Sequence, residues 1–196
     1  MSDFYLIRHG DHDWLKKGIA GRIPGVHLNA RGKKQAEELA RRLGEVKFDA
    51  VYSSPLERAM ESAEPTARAK GMEIKVAPEI LELDFGEWNG ATFEKLKNDP
   101  HWAEWNKHRS VTRMPGGELM SEVQSRVIDF LTRLHAENRE GVFALFSHGD
   151  VIRAAVCYVL GMPLDLLPRV EVDPASVSIA QFTPEGPRVS AVNRMA

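Results

Sequence analysis

The chain has 196 residues, of which 43% are hydrophobic and 28% charged, and its net charge is -2. This composition excludes a disordered chain, and the near-neutral charge offers no argument for a nucleic-acid or membrane partner. No uninterrupted apolar run reaches the roughly 18 residues that a membrane-spanning helix requires. The N-terminus lacks the apolar core of a signal peptide, and a lone cysteine, Cys157, cannot form an internal disulfide, so we expect a cytoplasmic protein.

Short apolar runs bounded by polar or turn-forming residues predict strands at residues 4–7, 50–52, 74–76 and 142–146. The last of these runs is almost entirely apolar, which is typical of a central strand buried on both faces. Two alternating runs, at 176–182 and 188–192, flank a Pro-Glu-Gly-Pro sequence near the C-terminus. This pattern predicts an antiparallel hairpin at an edge of the sheet.

Helices are predicted between these strands. After a capping residue, Asn29, four apolar residues repeat at helical spacing: Ala36, Leu39, Ala40 and Leu43. A second helix start is predicted in which Ser54 caps the helix, Pro55 occupies its first position and Glu57 completes a capping box. Further helical patterns follow at about 123–134 and 151–160.

Strands that alternate with helices predict an α/β fold, here a three-layer α/β/α sandwich with a mostly parallel sheet and an antiparallel edge strand. We expect a single catalytic domain over residues 1–196. Between about residues 86 and 117 the pattern becomes irregular and contains three of the four tryptophans. This segment, called the excursion below, is predicted to form two short helices and to lie over the active site.

Candidate catalytic and binding residues lie where predicted strands end or helices begin. Arg8 and His9 follow the first strand, Arg58 lies in the first turn after the second, Glu82 follows the third, and His148 follows the central strand. The carboxyl ends of parallel strands meet at one edge of a sheet, where open α/β sheets bind their ligands. We therefore expect these side chains to converge, with the arginines favouring an anion.

Five short motifs stand in the order found in one family. They are Arg8-His9-Gly10, Ser53-Ser54-Pro55-Leu56-x-Arg58-Ala59, Glu82-x-x-Phe85-Gly86-x-Trp88-x-Gly90, Pro115-Gly116-Gly117-Glu118 and Ser147-His148-Gly149. Over nearly its whole length the chain resembles the histidine phosphatase superfamily, a phosphoglycerate mutase-like family, and within it the phosphatase branch. The same superfamily contains the cofactor-dependent phosphoglycerate mutases.

The resemblance implies a phosphomonoester hydrolase that acts on a small phosphorylated metabolite through a phosphohistidine at His9. Arg8 and Arg58 would clamp the phosphate, and His148 would donate a hydrogen bond to it. To attack, His9 must be neutral, and the two neighbouring arginines favour this by lowering its pKa. Its other ring nitrogen is expected to donate to a fixed acceptor such as a backbone carbonyl.

The leaving alkoxide needs a proton, and Glu82 is the candidate general acid. Its pKa is expected to be raised by partial burial and by the charge of the phosphate. Asp84 is the alternative acid, although it is also a candidate for ordering the loop, as is Glu87. After the first step Glu82 would deprotonate the water that hydrolyses the phosphohistidine.

Four further residues are predicted to contact the phosphate or the rest of the substrate: Gly10, His12, Arg22 and Gly149. The glycines permit close approach of the backbone, and amides at helix starts bind anions. Arg22 lies in a segment, 21–25, where the family often has a substrate-contacting loop. His12 and Leu15 stand where family members commonly have a small hydroxyl residue and often an Asn, so His12 is expected to face the pocket and bias its choice of anionic substrate.

Two other functions are weighed. A phosphoglycerate mutase uses the same phosphohistidine but returns the phosphoryl group to the substrate; such chains are longer, with a larger excursion and a tail that excludes water, so hydrolysis is favoured here. A metal-dependent hydrolase would use as ligands His9, Asp11, His12, Asp13, His148 and Asp150. The adjacent arginines would oppose a bound dication, so we predict no metal and no other cofactor.

The remaining conspicuous residues have ordinary structural interpretations. The tryptophans of the excursion are predicted to pack it together: Trp88, Trp102 and Trp105. Arg109 and Arg113 fit plain surface charge as well as they fit a pocket wall, and Cys157 is predicted to pack as a small buried side chain. The substrate and the oligomeric state stay open.

Overall fold

A computed structural model describes residues 1–195. Its strands are β1 (Ser2–Arg8), β2 (Ala50–Ser53), β3 (Ile74–Val76), β4 (Val142–Ser147), β5 (Val177–Thr183) and β6 (Gly186–Arg194). Its α-helices are α1 (Ala30–Arg42), α2 (Glu57–Lys70), α3 (Phe93–Leu96), α4 (Pro100–Lys107), α5 (Met120–Glu137) and α6 (Gly149–Val159). Short 3₁₀ turns lie at Pro78–Ile80, Gly86–Trp88 and Leu164–Arg169.

The strands form one sheet in the order β3-β2-β4-β1-β5-β6. The first four are parallel, whereas β5 runs antiparallel to both β1 and β6. This confirms the predicted α/β class, the mostly parallel sheet and the C-terminal hairpin at its edge. The strand that runs against the others is β5, which is second from the edge because β6 pairs beyond it.

Alternate side chains of the central strands supply two separate cores, one on each face of the sheet. On β1, Phe4 and Leu6 pack into the larger core together with residues of α5 and α6, while Ile7 packs into the other. The second core includes Leu39 of α1 and Ala63 of α2. Because both faces of the sheet are covered by helices, the predicted three-layer arrangement is confirmed.

The predicted helix starts differ in outcome. Asn29 caps α1 as expected, since its side-chain oxygen accepts a hydrogen bond from the Gly32 amide at 2.9 Å. The prediction for Ser54 is wrong: α2 begins at Glu57 after Leu56 and has no side-chain cap. The Ser54 hydroxyl instead lies against a histidine described below.

The excursion folds into the two short helices that its irregular pattern suggested, α3 and α4. Backbone hydrogen bonds tie it to the rest of the chain, from Ile19 N to Ala91 O at 2.9 Å and from Gly90 N to Ile19 O at 2.8 Å. Within the excursion, Glu87 N donates to Pro115 O at 2.9 Å and so joins its two ends. Trp88 and Trp105 are buried, and the rings of Trp102 and Trp105 stack with centroids 5.1 Å apart. The tryptophans therefore pack the excursion, as predicted.

Cys157 is fully buried in α6, and burial raises the pKa of its thiol to about 11. This agrees with its predicted role as a small packing side chain. None of the helices within residues 1–195 has both the length and the apolar character needed to cross a membrane.

Candidate active site

The carboxyl ends of β1, β2 and β4 are in register, and this alignment assembles the site. Arg8 pairs with Ser147 across β1 and β4, and Ser53 pairs with Phe146 across β2 and β4. The hydroxyl of Ser147 donates to Ile80 O at 2.7 Å and so ties the turn that precedes Glu82 to the same edge. The strand-end residues are thereby brought together: Arg8, His9, Arg58 and Glu82 line one cavity of about 360 Å³.

His9 is held in one tautomer. Its Nδ1 lies 2.8 Å from the carbonyl oxygen of Gly10, which can only accept, so Nδ1 carries the proton. Nε2 is then unprotonated, and Arg58 Nε donates to it at 3.4 Å. Burial, followed by the charges of Arg58 and Arg8, lowers the pKa of His9 well below its ordinary value. The arginines contribute as expected, but burial is the larger cause, since the side chain is only 2% exposed.

His148 lies beside His9, with ring centroids 5.2 Å apart. Its Nε2 is 2.7 Å from the hydroxyl oxygen of Ser54. Leu56 N donates to that oxygen at 3.5 Å. Nδ1 of His148 faces the site, 3.4 Å from Arg58 Nη2 and 3.8 Å from Glu82 Oε2.

The role of Ser54 was missed in the sequence, where it resembled a helix cap. The available signal was its position directly after β2, at the same strand edge as His9 and His148.

Burial, with further contributions from Arg58 and His9, lowers the pKa of His148 well below its ordinary value. Both imidazoles are therefore neutral at physiological pH.

Each of the two arginines donates to the protein through part of its guanidinium and has another nitrogen left unpaired. Arg8 Nη1 donates to Val172 O and Arg58 Nη2 donates to Gly21 O, both at 2.7 Å. Arg8 Nε and Arg58 Nη1 are buried and have no hydrogen-bond partner within residues 1–195. Buried donors without partners cost free energy. A bound anion in this cavity would supply acceptors.

Glu82 is a buried carboxyl group, 13% exposed, whose Oε1 accepts from Leu83 N at 2.9 Å. Burial and then the charge of Asp150 raise its pKa to about 7, against the opposing effects of Arg58 and Arg8. The protonated and ionised forms are thus both populated near neutral pH, which suits a group that first gives and later takes a proton.

Asp84 is placed differently. Its Oδ1 accepts from Gly86 N and from Asn89 Nδ2, both at 2.9 Å. Burial alone would raise the pKa of Asp84, but these hydrogen bonds and the charge of Arg22 lower it overall. An ionised carboxylate that already accepts two hydrogen bonds orders the loop and is not a proton donor.

Arg22 does not contact the cavity, contrary to the sequence-based expectation. Its Nε donates to Glu82 O at 2.7 Å, its Nη2 donates to Glu118 Oε2 at 2.8 Å, and its Nη1 lies 3.5 Å from Asp84 Oδ2. These three groups occupy the nitrogens of the guanidinium. These contacts position the segment that carries Glu82.

Gly10 is also needed for a reason other than the one predicted. A Cβ at this position would lie 2.7 Å from Gly32 O, so Gly10 permits close packing against α1. Its amide donates to the hydroxyl of Ser62 at 2.9 Å, and the next amide, of Asp11, donates to Gln35 Oε1 at 2.8 Å. Neither amide is free for an anion, and α1 starts only at Ala30.

Gly149 opens α6 beside the arginines. A Cβ there would lie 3.1 Å from Arg153 Nη1 and 3.4 Å from Arg8 Nε. The missing side chain therefore leaves room for the Arg8 guanidinium. Its position at the first residue of an eleven-residue helix is the one expected for a residue whose amide faces an anion.

His12 and Leu15 both line the cavity, as expected for His12. The rings of His9 and His12 have centroids 5.0 Å apart, and Trp14 N donates to His12 Nδ1 at 3.3 Å. His12 therefore carries its proton on Nε2. Burial, and next the charge of Arg58, lowers its pKa to about 4, so it is a neutral donor.

The carboxylates of the metal hypothesis are engaged elsewhere. The side-chain Nδ2 of Asn29 donates to Asp11 Oδ1 at 3.4 Å and to Asp13 Oδ1 at 3.3 Å, and Asp150 Oδ1 accepts from Arg153 Nη1 at 3.2 Å. Across residues 1–195, no group of three or more His, Cys, Asp or Glu side chains is arranged to hold a metal ion.

The excursion contributes one wall of the cavity, formed by Trp102, Trp105 and Arg109. The structure gives different environments to the two arginines, Arg109 and Arg113, for which the sequence left both a surface position and a pocket position open. Arg109 faces the cavity and lies over the Trp105 ring, 4.0 Å from its centroid. Arg113 is exposed and pairs with Glu122 at 2.5 Å.

A larger groove of about 630 Å³ lies along α1, lined mainly by exposed charged residues such as Lys33, Glu37 and Arg41. It contains none of the strand-end residues. The smaller cavity is the candidate active site because a buried nucleophile, unpaired buried donors and a titrating carboxyl group meet there.

Comparison with known proteins identifies the family. The family model of the histidine phosphatase superfamily (branch 1) matches residues 4–195. The chain is 32% identical over 181 residues to phosphoserine phosphatase 1 of Hydrogenobacter thermophilus, covering 91% of this chain and 86% of that protein. It is 29% identical to a probable phosphoglycerate mutase, GpmB, of Escherichia fergusonii, covering 93% and 86%.

Among solved structures, the alpha-ribazole phosphatase of Shigella flexneri is similar, with a TM-score of 0.87 and 26% identity, covering 99% of this chain and 97% of that one. The family match spans nearly the whole chain and includes every strand-end residue of the cavity. The chain belongs to the histidine phosphatase superfamily, branch 1.

Proposed function

We propose that this chain is a phosphatase that hydrolyses phosphomonoesters of a small metabolite through a phosphohistidine at His9. One observation carries the proposal. The unprotonated Nε2 of His9 stands beside unpaired buried guanidinium nitrogens, in a cavity shared with a carboxyl group whose pKa is about 7. The similarity to phosphatases adds support, and the cavity volume of about 360 Å³ suits a small molecule.

In the first step, Nε2 of His9 attacks the phosphorus atom and the bond from phosphorus to the ester oxygen breaks. Arg8 and Arg58 bind the equatorial oxygens, and Nδ1 of His148 donates to them while the Ser54 hydroxyl donates to Nε2. The proton of Glu82 passes to the departing oxygen, so the alcohol leaves neutral. The Gly10 carbonyl, which accepts from His9 Nδ1, stabilises the positive charge that develops on the ring.

In the second step, a water molecule attacks the phosphohistidine. Glu82, now ionised, takes a proton from the water as the new oxygen–phosphorus bond forms and the bond to Nε2 breaks. Inorganic phosphate leaves, and His9 and Glu82 return to their starting states. One carboxyl group thus serves as acid and then as base because its pKa lies near the working pH.

The phosphoglycerate mutase alternative shares the first step, and one relative carries that name. Hydrolysis is favoured because the excursion is short: it consists of helices of four and eight residues joined by turns. A comparison of phosphate release with isomerisation of a phosphorylated sugar acid, primed by its bisphosphate, distinguishes them. Faster isomerisation than release would make the chain a mutase.

The phosphohistidine is tested by mixing the enzyme with a ³²P-labelled phosphomonoester, phosphoserine first, and quenching within one turnover. We expect an acid-labile, base-stable label on the wild type and on His148→Gln, but none on His9→Ala. Folding of each variant is checked by its thermal unfolding. Equal labelling of wild type and His9→Ala would contradict the mechanism.

We also infer that residues 1–196 form one catalytic domain whose excursion covers the site, and that it works in the cytoplasm on a phosphorylated small molecule, without a nucleic-acid or membrane partner. All six strands belong to one sheet, and the excursion supplies part of the cavity wall. The lone cysteine is buried, and the net charge of -2 offers nothing to polyanions.

A further inference from the structure

Arg109 is a buried cation in the cavity that the proposed phosphate chemistry does not use. It follows α4 within the excursion, and its side chain is only 12% exposed. Its guanidinium lies 4.0 Å from the centroid of the Trp105 ring, and its Nη2 donates to Asn106 Oδ1 at 2.9 Å. The orientation of this cation is therefore set before any ligand binds.

The charge of Arg109 is incompletely balanced. The carboxylate oxygen that faces it, Asp150 Oδ1, is 3.8 Å away, whereas Arg153 Nη1 lies 3.2 Å from that same oxygen. Arg109 Nε is buried and makes no hydrogen bond to any of residues 1–195. Burial lowers the pKa of the guanidinium, because keeping this charge away from water is unfavourable. A buried, oriented and under-paired arginine is a good receptor for an oxyanion.

The cavity as a whole has more positive charge than one phosphate requires. Its lining includes five basic residues, Arg8, Lys16, Arg58, Arg109 and Arg153, against the two carboxyl groups of Glu82 and Asp150. Arg8 and Arg58 are committed to the scissile phosphate in the proposed mechanism. Arg109 and Arg153, with one carboxylate between them, remain for another part of the ligand.

We propose that Arg109 binds a second anionic group of the substrate, a carboxylate or a second phosphate, while Arg8 and Arg58 hold the phosphate that is cleaved. The inference rests on the proposed phosphatase function and specifies its substrate class: a phosphomonoester that carries another acidic group. Both anion sites belong to one cavity of about 360 Å³, so a single small molecule can occupy them together. Trp105 acts as the platform that orients Arg109.

The test compares two pairs of substrates that differ in one acidic group. Phosphoserine and phosphoethanolamine differ in a carboxylate, and the bisphosphate and monophosphate of propane-1,3-diol differ in a second phosphate. We expect the wild type to favour the acidic member of at least one pair by about tenfold or more in kcat/KM, as expected for one charge-assisted contact. Which pair shows the preference identifies the group that Arg109 binds.

Arg109→Gln should raise KM for the preferred acidic substrate about tenfold or more and leave kcat/KM for its partner within about twofold. Arg109→Lys should retain part of the preference. Arg113→Gln is the matched control, since Arg113 belongs to the same excursion but pairs with Glu122 outside the cavity, and it should change neither value. The partner substrate also reports whether each variant is folded.

Two results would overturn the inference while leaving the phosphatase function intact. One is a wild type that hydrolyses both members of each pair equally well. The other is an Arg109→Gln variant that loses activity on both members to the same extent, which would give Arg109 a purely structural role. A wild type that hydrolyses none of the four compounds, and takes up no label on His9 from any of them, would instead contradict the proposed function and this inference with it.

Discussion

At the scale of single residues, the chemistry depends on how protons are placed on three neighbouring imidazoles. The Gly10 carbonyl places one proton on Nδ1 of His9, and the Trp14 amide leaves the proton of His12 on Nε2. His148 contacts the Ser54 hydroxyl through Nε2 and Arg58 through Nδ1. All three rings are neutral because they are buried beside arginines. The same side chain therefore presents an unprotonated nitrogen at His9 and an N–H donor at His12.

Glu82→Gln is the most informative change at this scale. Because Glu82 must be protonated to donate, wild-type kcat/KM on an alkyl phosphate should fall as pH rises through about 7. The variant should lose this descending limb and be slower by about 10²–10⁴-fold on alkyl phosphates, with a much smaller loss on nitrophenyl phosphate, whose leaving group needs no proton. Steady-state pH profiles with both substrates measure this.

Asp84→Asn is the matched control for that experiment, because Asp84 is two residues away and orders the loop through Gly86 and Asn89. It should keep the descending limb and the wild-type dependence on leaving group. If Asp84→Asn loses the limb while Glu82→Gln retains it, the general acid is Asp84.

At the scale of elements, the site is assembled from strand ends and the turns after them, and side-chain hydrogen bonds hold these pieces together. Ser62 of α2 accepts from the Gly10 amide and donates to Arg58 O at 2.6 Å, which joins the nucleophile segment to the arginine helix. Arg22 and Arg126 both donate to the Glu82 carbonyl, at 2.7 and 3.3 Å. Glu82 is therefore positioned through its backbone.

Arg22→Ala should loosen this segment. We expect a decrease of about 1–3 kcal/mol in the free energy of unfolding, because Glu82 O and Glu118 lose a charged donor in a partly buried place. Activity on alkyl phosphates should fall mainly in kcat, since Arg22 does not contact the cavity. Urea unfolding and steady-state kinetics measure the two effects.

The control for Arg22→Ala is Arg68→Ala, which removes an exposed arginine paired with an exposed Glu37 at 2.8 Å. Its unfolding free energy should change by less than about 0.5 kcal/mol. A rise confined to KM in Arg22→Ala would show that Arg22 contacts substrate after all.

At the scale of the whole molecule, burying several neutral histidines makes folding sensitive to acid. The folded pKa values of His9, His12 and His148 lie below the unfolded value near 6.5, so the unfolded chain binds more protons at acidic pH. This stability is complete above pH 6.5 and is lost as pH falls towards the folded values. Glu82 has the opposite effect on stability. Because its folded pKa is raised, the stability that it contributes falls as pH rises from its unfolded pKa to about 7.

His12→Gln isolates one part of this dependence. With a folded pKa of about 4, His12 should account for about 2 kcal/mol of the stability lost between pH 7 and pH 5. The variant should therefore lose about 2 kcal/mol less than the wild type over that range, measured by urea unfolding at both pH values.

His27→Gln is the control, because His27 is an exposed histidine that pairs with Glu61; this change should not reduce the loss of stability in acid. An equal loss in wild type and His12→Gln would mean that His12 is already charged in the folded protein.

The sequence by itself determined the layer arrangement and the place of the site. Apolar runs and helical spacing are local patterns, and the parallel order of β1, β2 and β4 brings their carboxyl ends to one edge, so Arg8, His9 and His148 were predictable neighbours. Asn29 was predictable as a cap because capping depends on residues three apart.

Only the tertiary structure decided which partner each polar side chain chooses. Ser54 has the local pattern of a helix cap, yet its hydroxyl is used by His148, 94 positions along the chain. Arg22 and Arg109 both lie in irregular segments. Arg22 donates to carboxylates and to the Glu82 carbonyl, whereas Arg109 packs on Trp105 and faces the cavity. Hydrogen bonds and burial between distant segments depend on packing, and local sequence patterns do not encode that choice.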